Sequence, residues 1–320
     1  MFEGKSLDQI RGFMEAMGIP GRDLWGLPSS QQTFPDGAHY RWEIAGVERA
    51  STMEALIQEA NRRRVAIHRV IATVGGSTYC DPQELRAIAQ MAHEERIEVI
   101  MTVGHRKGWD PGAREMSTPE GAMQGFRLRG SDNLSYWVAD MMRDMEAGFR
   151  GFLVYDEGLL LILSRMRAEG FIPGETVFKF SVFGGHCSPA GAKLVESMGA
   201  NTMNPASDVT LPILASIRKA VRIPLDIYVS VVDSFGGMFR AYEAPEMARV
   251  ASPCYFKLEP GPSEGEMYKP WISEAWHRDL IREKVKMASI VQEIVGKAAP
   301  DLKGSEKGAA DLVLTEPRRA

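Results

Sequence analysis

Lys179 stands between Phe178 and Phe180 in the run VFKFSVFGGH, residues 177–186. A buried ammonium is costly unless it is paired, so a lysine there either marks an exposed stretch or points at something polar. Side chains of a strand alternate between its two faces. With Phe178, Phe180 and Val182 on one face, Lys179 and Ser181 fall on the other. The same alternation sorts three further runs. In YRWEIAGV (40–47), Trp42 and Ile44 oppose Arg41 and Glu43. In IPLDIYVSV (223–231), Leu225, Ile227 and Val229 oppose Asp226, Tyr228 and Ser230. In PCYFKLEP (253–260), Cys254, Phe256 and Leu258 oppose Tyr255, Lys257 and Glu259. Arg41, Lys179 and Lys257 thus share one interior with Glu43, Asp226 and Glu259. Such an interior is either a site or a structural network of ion pairs.

Several chemistries are open to these residues. A desolvated lysine has its pKa lowered and its lone pair freed; Lys179 could then form a Schiff base, move protons, bind a substrate, or pair with Glu43 or Asp226. Glu43, Asp156, His186 and Glu259, with Glu157 beside them, are placed at or near strand ends, and oxygen ligands with one imidazole suit magnesium, manganese or zinc. One divalent metal is therefore an expectation, against the alternative that these carboxylates pair with the interior lysines. Cys187 follows His186 directly, a poor arrangement for a nucleophile and its base, and Ser188 reads as a helix N-cap with Pro189 behind it. Gly236 and Gly237 could let amides approach an anion, although a plain turn explains them equally. The catalytic candidates are Glu43, Asp156, Lys179, His186 and Glu259. The substrate-binding candidates are Arg41, His105, Arg106, Tyr155, Ser181, Asn204, Asp226, Tyr228 and Lys257.

The elements that must position these groups form a regular series. Eight strand-like runs, from 40–47 to 253–260, alternate with helical patterns. Eight such pairs over about 255 residues match a (β/α)8 TIM barrel. A doubly wound sheet is the rival, but neither GxGxxG nor GxxxxGK[ST] occurs, and no nucleotide cofactor is expected. Residues 1–38 read as an N-terminal extension, 39–296 as the barrel and 297–320 as a flexible tail. The third strand is followed by about 27 residues without a helix, long enough for a lid or a subunit contact.

Composition narrows the partners. The net charge of −4 over 320 residues offers no basic field for nucleic acid. No run approaches the roughly 18 apolar residues that span a bilayer, and MFEGKSLDQIRGF lacks the apolar region of a secretory signal. A cytoplasmic location is expected. Three cysteines (Cys80, Cys187, Cys254) cannot supply a four-cysteine cluster, so no iron–sulfur centre is expected. Barrels of this size often dimerise, which makes a homo-oligomer an open expectation.

Five stretches, YRWEIAGVE, GFLVYDEGLL, KFSVFGGHCSPAGAKLVESMGANTMNP, IPLDIYVSVVDSFGGMFRAYEAPE and CYFKLEP, resemble bacterial proteins of the peptidase family U-32-like group, over about residues 35 to 270. The resemblance implies a TIM-barrel-like fold. The wider group includes collagenase-like peptidases and hydroxylation proteins, some holding an iron–sulfur cluster through several cysteines; this chain lacks that cysteine-rich signature. The residues themselves point first to a barrel enzyme acting on a small anionic substrate by lyase (aldolase-like) or isomerase chemistry. A hydrolase of peptides and a non-catalytic accessory barrel are the alternatives.

Overall fold

The computed structural model describes residues 4–104, 127–269 and 271–317. His105, Arg106 and the rest of the 105–126 stretch lie outside the described residues.

Eight parallel strands close into one barrel in chain order. They are β1 (Tyr40–Val47), β2 (Arg69–Ala72), β3 (Glu98–Met101), β4 (Gly151–Val154), β5 (Val177–Phe180), β6 (Thr202–Met203), β7 (Leu225–Ser230) and β8 (Cys254–Leu258). The ring closes where β8 pairs with β1, Lys257 lying opposite Glu43. This is the (β/α)8 barrel the alternation of elements predicts. A short α1 (Leu7–Ala16) precedes it. The outer ring comprises α2 (Ala50–Arg63), α3 (Pro82–Glu95), α4 (Gly130–Glu146), α5 (Glu157–Ala168), α6 (Pro189–Ser197), α7 (Leu211–Ala220), α8 (Ala244–Ala251), a one-turn α9 (Glu264–Met267) and the long α10 (Glu274–Ala298).

Local chemistry fixes the helix starts. Asp81 accepts from the Glu84 amide at 2.8 Å with Pro82 in the first turn. The Glu84 side chain turns away to Arg49 (2.8 Å), so the capping box is half made. Ser188 caps α6 through the Gly191 amide at 3.2 Å, ahead of Pro189. Gly236 and Gly237 spend their amides on Asp233 and Val232 carbonyls, which makes them a turn.

The apolar strand faces meet the helices: Trp42, Ile44, Phe178, Phe180, Leu225, Ile227, Phe256 and Leu258 belong to one continuous core between sheet and helical ring. The opposite faces fill the barrel lumen. In its upper half β1 to β4 contribute Ala45, Ile71, Ile100 and Leu153, while β5 to β8 contribute polar and charged groups.

Both chain ends cross the N-terminal end of the barrel. Before β1, Leu24 and Ser30 bond to Pro212 and Arg249 carbonyls. After α10 the chain bridges to β1 at Tyr40 and Gly304, donates the Ser305 amide to Tyr40 (3.1 Å) and the Glu316 amide to Gly148 (2.7 Å). The segment expected to be a flexible tail is thus bonded to the barrel by main-chain and side-chain contacts. No helix among the described residues is long and apolar enough to cross a membrane.

Candidate active site

The lumen charges form three tiers. At the N-terminal end Arg41 is bidentate to Asp311 (2.9 and 2.6 Å), with Asp36 at 3.5 Å. Arg41 therefore faces the chain's own C-terminal segment, away from the end of a barrel where active sites sit.

The middle tier holds Lys179 between Asp226 (2.5 Å) and Glu43 (3.0 Å), all three without solvent exposure. Arg69 Nη1 reaches the same two carboxylates at 3.1 and 3.4 Å, and Arg69 Nε pairs with Glu98. Thr202 donates to Asp226 at 2.8 Å. Burial lowers the Lys179 pKa, against Asp226 and Glu43, which raise it. For Arg69 burial is outweighed by Glu98, Asp226 and Glu43, and the guanidinium stays charged. Glu43 lies within this tier, well below the strand ends where a metal-ligand role would place it.

The upper tier belongs to β6, β7 and β8. Lys257 donates to Tyr228 (2.7 Å) and to Asn204 Oδ1 (3.2 Å) and pairs with Glu259 at 3.3 Å. Asn204 is oriented by donating to the Asp226 and Pro205 carbonyls. Tyr228 and Tyr268 donate to the two oxygens of Glu259, each at 2.9 Å. Lys284, on α10, completes the chain by donating to Tyr268 (3.0 Å) and to the Ala45 carbonyl (2.8 Å). Lys284 reaches inward at Gly46, where β1 slips register between Ala45 and Val47. A Cβ on Gly46 would stand 2.7 Å from Lys284 Nζ and 2.8 Å from the Tyr268 ring, and its φ of +99° favours glycine. Burial pushes Lys284 down to about 8. Burial, then Glu259, pushes Tyr228 and Tyr268 well up. Burial would raise Glu259 as well, but Lys257 and Lys284 outweigh it and hold the carboxylate ionised.

At the rim, Arg127 pairs with Glu157, and His186 Nε2 lies 2.8 Å from Glu157 Oε1. Asp156 caps α5 through the Leu159 amide at 2.9 Å, and the Tyr155 carbonyl accepts from Arg127 at 3.1 Å. Ser181 accepts from the Phe183 amide, a backbone cap rather than a lumen group. The four residues read as metal ligands do not converge: Glu43 and Glu259 are held by different cations, Asp156 caps a helix and His186 pairs with Glu157. Among the described residues no group of three His, Cys, Asp or Glu side chains is placed for a metal ion.

Arg69, Glu98, Tyr268 and Lys284 escaped the sequence reading. The first two were within reach, because Arg69 alternates with Val70 exactly as Lys179 does with Phe180, and Glu98 with Val99. Lys284 also leaves a trace, a lysine on the helix face that carries Ile281, Val285 and Ala288. Tyr268 leaves none.

No family model matches the chain, and no curated protein matches it. Among solved structures it is similar to the YdjI aldolase from Escherichia coli K12, at 12% identity over 82% of this chain and 93% of that one, with a TM-score of 0.47. It is similar to the U32 peptidase Mk0906 at 16% identity over 64% and 74%, TM-score 0.40. A third likeness is to orotidine 5'-monophosphate decarboxylase from Methanocaldococcus jannaschii, at 8% identity over 78% and 98%, TM-score 0.42. These likenesses single out no family.

Proposed function

We propose that the chain is a barrel enzyme whose reaction centre is the Lys257–Tyr228–Glu259 group, acting on a small anionic carbonyl compound by lyase or isomerase chemistry. The observation that carries this reading is the position of that group: a tyrosine on β7 linked to a lysine on β8 and to the carboxylate that directly follows β8, toward the C-terminal end of the barrel, where barrel enzymes react. Lys257 would receive a substrate carbonyl or carboxylate oxygen. Tyr228, whose raised pKa keeps it protonated, would hold a hydrogen bond to the substrate oxygen as negative charge develops there and keep its own proton. Glu259 would orient both hydroxyls and offset the two lysines. The apolar wall of Ala45, Ile71, Ile100 and Leu153 would lower the local dielectric and strengthen each of these interactions. Lys179 becomes part of the scaffold in this reading, because both carboxylates it touches are already committed to it and to Arg69.

The test is a panel of small 2-oxo and hydroxy acids incubated in D2O and followed by proton NMR for exchange next to the carbonyl and for carbon–carbon cleavage. Exchange or cleavage is expected with at least one member, and Lys257→Met is expected to slow it at least a hundredfold. Retention of the full rate by Lys257→Met, or no reaction with any member of the panel, would sink the reading in favour of an accessory barrel.

A further inference from the structure

The opposite, N-terminal end of the barrel holds a cavity of about 340 Å³, within the size range of small-molecule sites. Phe34, Val177, Pro224 and Val313 supply apolar walls, and Arg69, Tyr255 and Arg222 supply the polar side. Arg69 is 2% exposed. All its hydrogen bonds leave from Nε and Nη1, so Nη2 makes none among the described residues. Its guanidinium lies 3.7 Å over the Tyr255 ring, which fixes the plane of that fork. The Tyr255 hydroxyl accepts from Arg41 at 3.4 Å and donates to no described residue. Arg222 is exposed at the cavity, and its guanidinium enters no ion pair among the described residues.

The carboxylates of the wall are spent. Asp311 gives both oxygens to Arg41. Glu98 gives one to Arg69 Nε and the other to the Val313 amide at 3.2 Å. The cavity thus presents unused donors against apolar walls. We infer that it is a second ligand site, taking an organic monocarboxylate with a small apolar body, its oxygens received by Arg69 Nη2 and the Tyr255 hydroxyl, with Arg222 at the edge. A neutral molecule of the same shape leaves the donors unsatisfied, and a bare inorganic anion leaves the walls unfilled. The site shares no residue with the Lys257 group and stands whether or not that group is a reaction centre.

Isothermal calorimetry of the full chain with benzoate, benzyl alcohol and inorganic phosphate tests this. Benzoate is expected to bind saturably at one equivalent, with the alcohol and phosphate each at least tenfold weaker. Arg222→Gln, which removes an exposed and unpaired group, is expected to weaken benzoate at least fivefold. Val313→Trp, which fills the cavity from the C-terminal segment, is expected to abolish binding; if that variant fails to fold, Arg222→Gln decides alone. No saturable benzoate binding, phosphate binding as tightly as benzoate, or benzoate affinity unchanged by Arg222→Gln would each overturn the assignment.

Discussion

Lys284 shows what a single buried ammonium does to this molecule. Its pKa is pushed from 10.5 to about 8 by burial. Between those two values the unfolded chain holds a proton that the folded chain lacks, so stability rises with pH across that window. Below about pH 8 both forms are protonated and the full cost is present, about 3 kcal/mol at a rate of about 1.4 kcal/mol per pKa unit. Urea unfolding of the wild type between pH 7.5 and 10.5 should therefore show a gain in stability that Lys284→Met lacks; parallel pH profiles for the two proteins would refute the assignment of that gain to Lys284. His68 acts with the same sign in a more acidic window. Its Nδ1 accepts from the Trp42 amide and its Nε2 faces the Ser305 carbonyl at 3.0 Å, so the neutral ring serves both. Burial lowers its pKa from 6.5 to about 4. As pH falls from 6.5 to 4 the unfolded chain takes the proton first, and about 3 kcal/mol should be lost. A His68→Asn variant with an acid profile as steep as the wild type's would contradict this.

Strand phase was the most legible part of the sequence. Alternation placed Lys179, Asp226, Lys257 and Glu259 in the lumen because each sits among apolar neighbours that must face the helices. It also placed Arg41 there, but alternation gives a face and not a height, and Arg41 proves to serve the N-terminal end. Height is set by register and by what covers each end, which depends on contacts across hundreds of residues. The C-terminal segment illustrates the gap: its polar composition reads as loose, yet Asp311 supplies the bidentate partner of a buried arginine. Asp311→Ala leaves Arg41 with Asp36 as its remaining carboxylate, at 3.5 Å, beside the neutral Ser305 and Tyr255 hydroxyls, and is expected to cost about 3 kcal/mol, the lower part of the range for a broken buried pair. Chemical denaturation measures this; a change below about 1 kcal/mol would mean that water replaces Asp311 freely. Side chains entering from outside the strands, such as Lys284 and Tyr268, follow no strand pattern and were out of reach of that method.

Across the whole molecule, the middle and upper tiers bring Arg69, Lys179, Lys257 and Lys284 against Glu43, Glu98, Asp226 and Glu259, an equal number of each sign. Lys179→Met is expected to cost about 3–5 kcal/mol, because Glu43 and Asp226 then share Arg69 as their one cation among the described residues. Turnover per folded molecule should survive this change, whereas Lys257→Met should abolish turnover; equal losses of turnover would return Lys179 to the reaction. The balance of charge has a further consequence for how this sequence can drift. A substitution that alters one lumen charge leaves its opposite stranded, and an intermediate bearing only that change starts several kcal/mol poorer. Variants of this chain should therefore exchange lumen charges in compensating pairs, or lose the whole set together, while the apolar outer faces of the same strands accept one-at-a-time replacement.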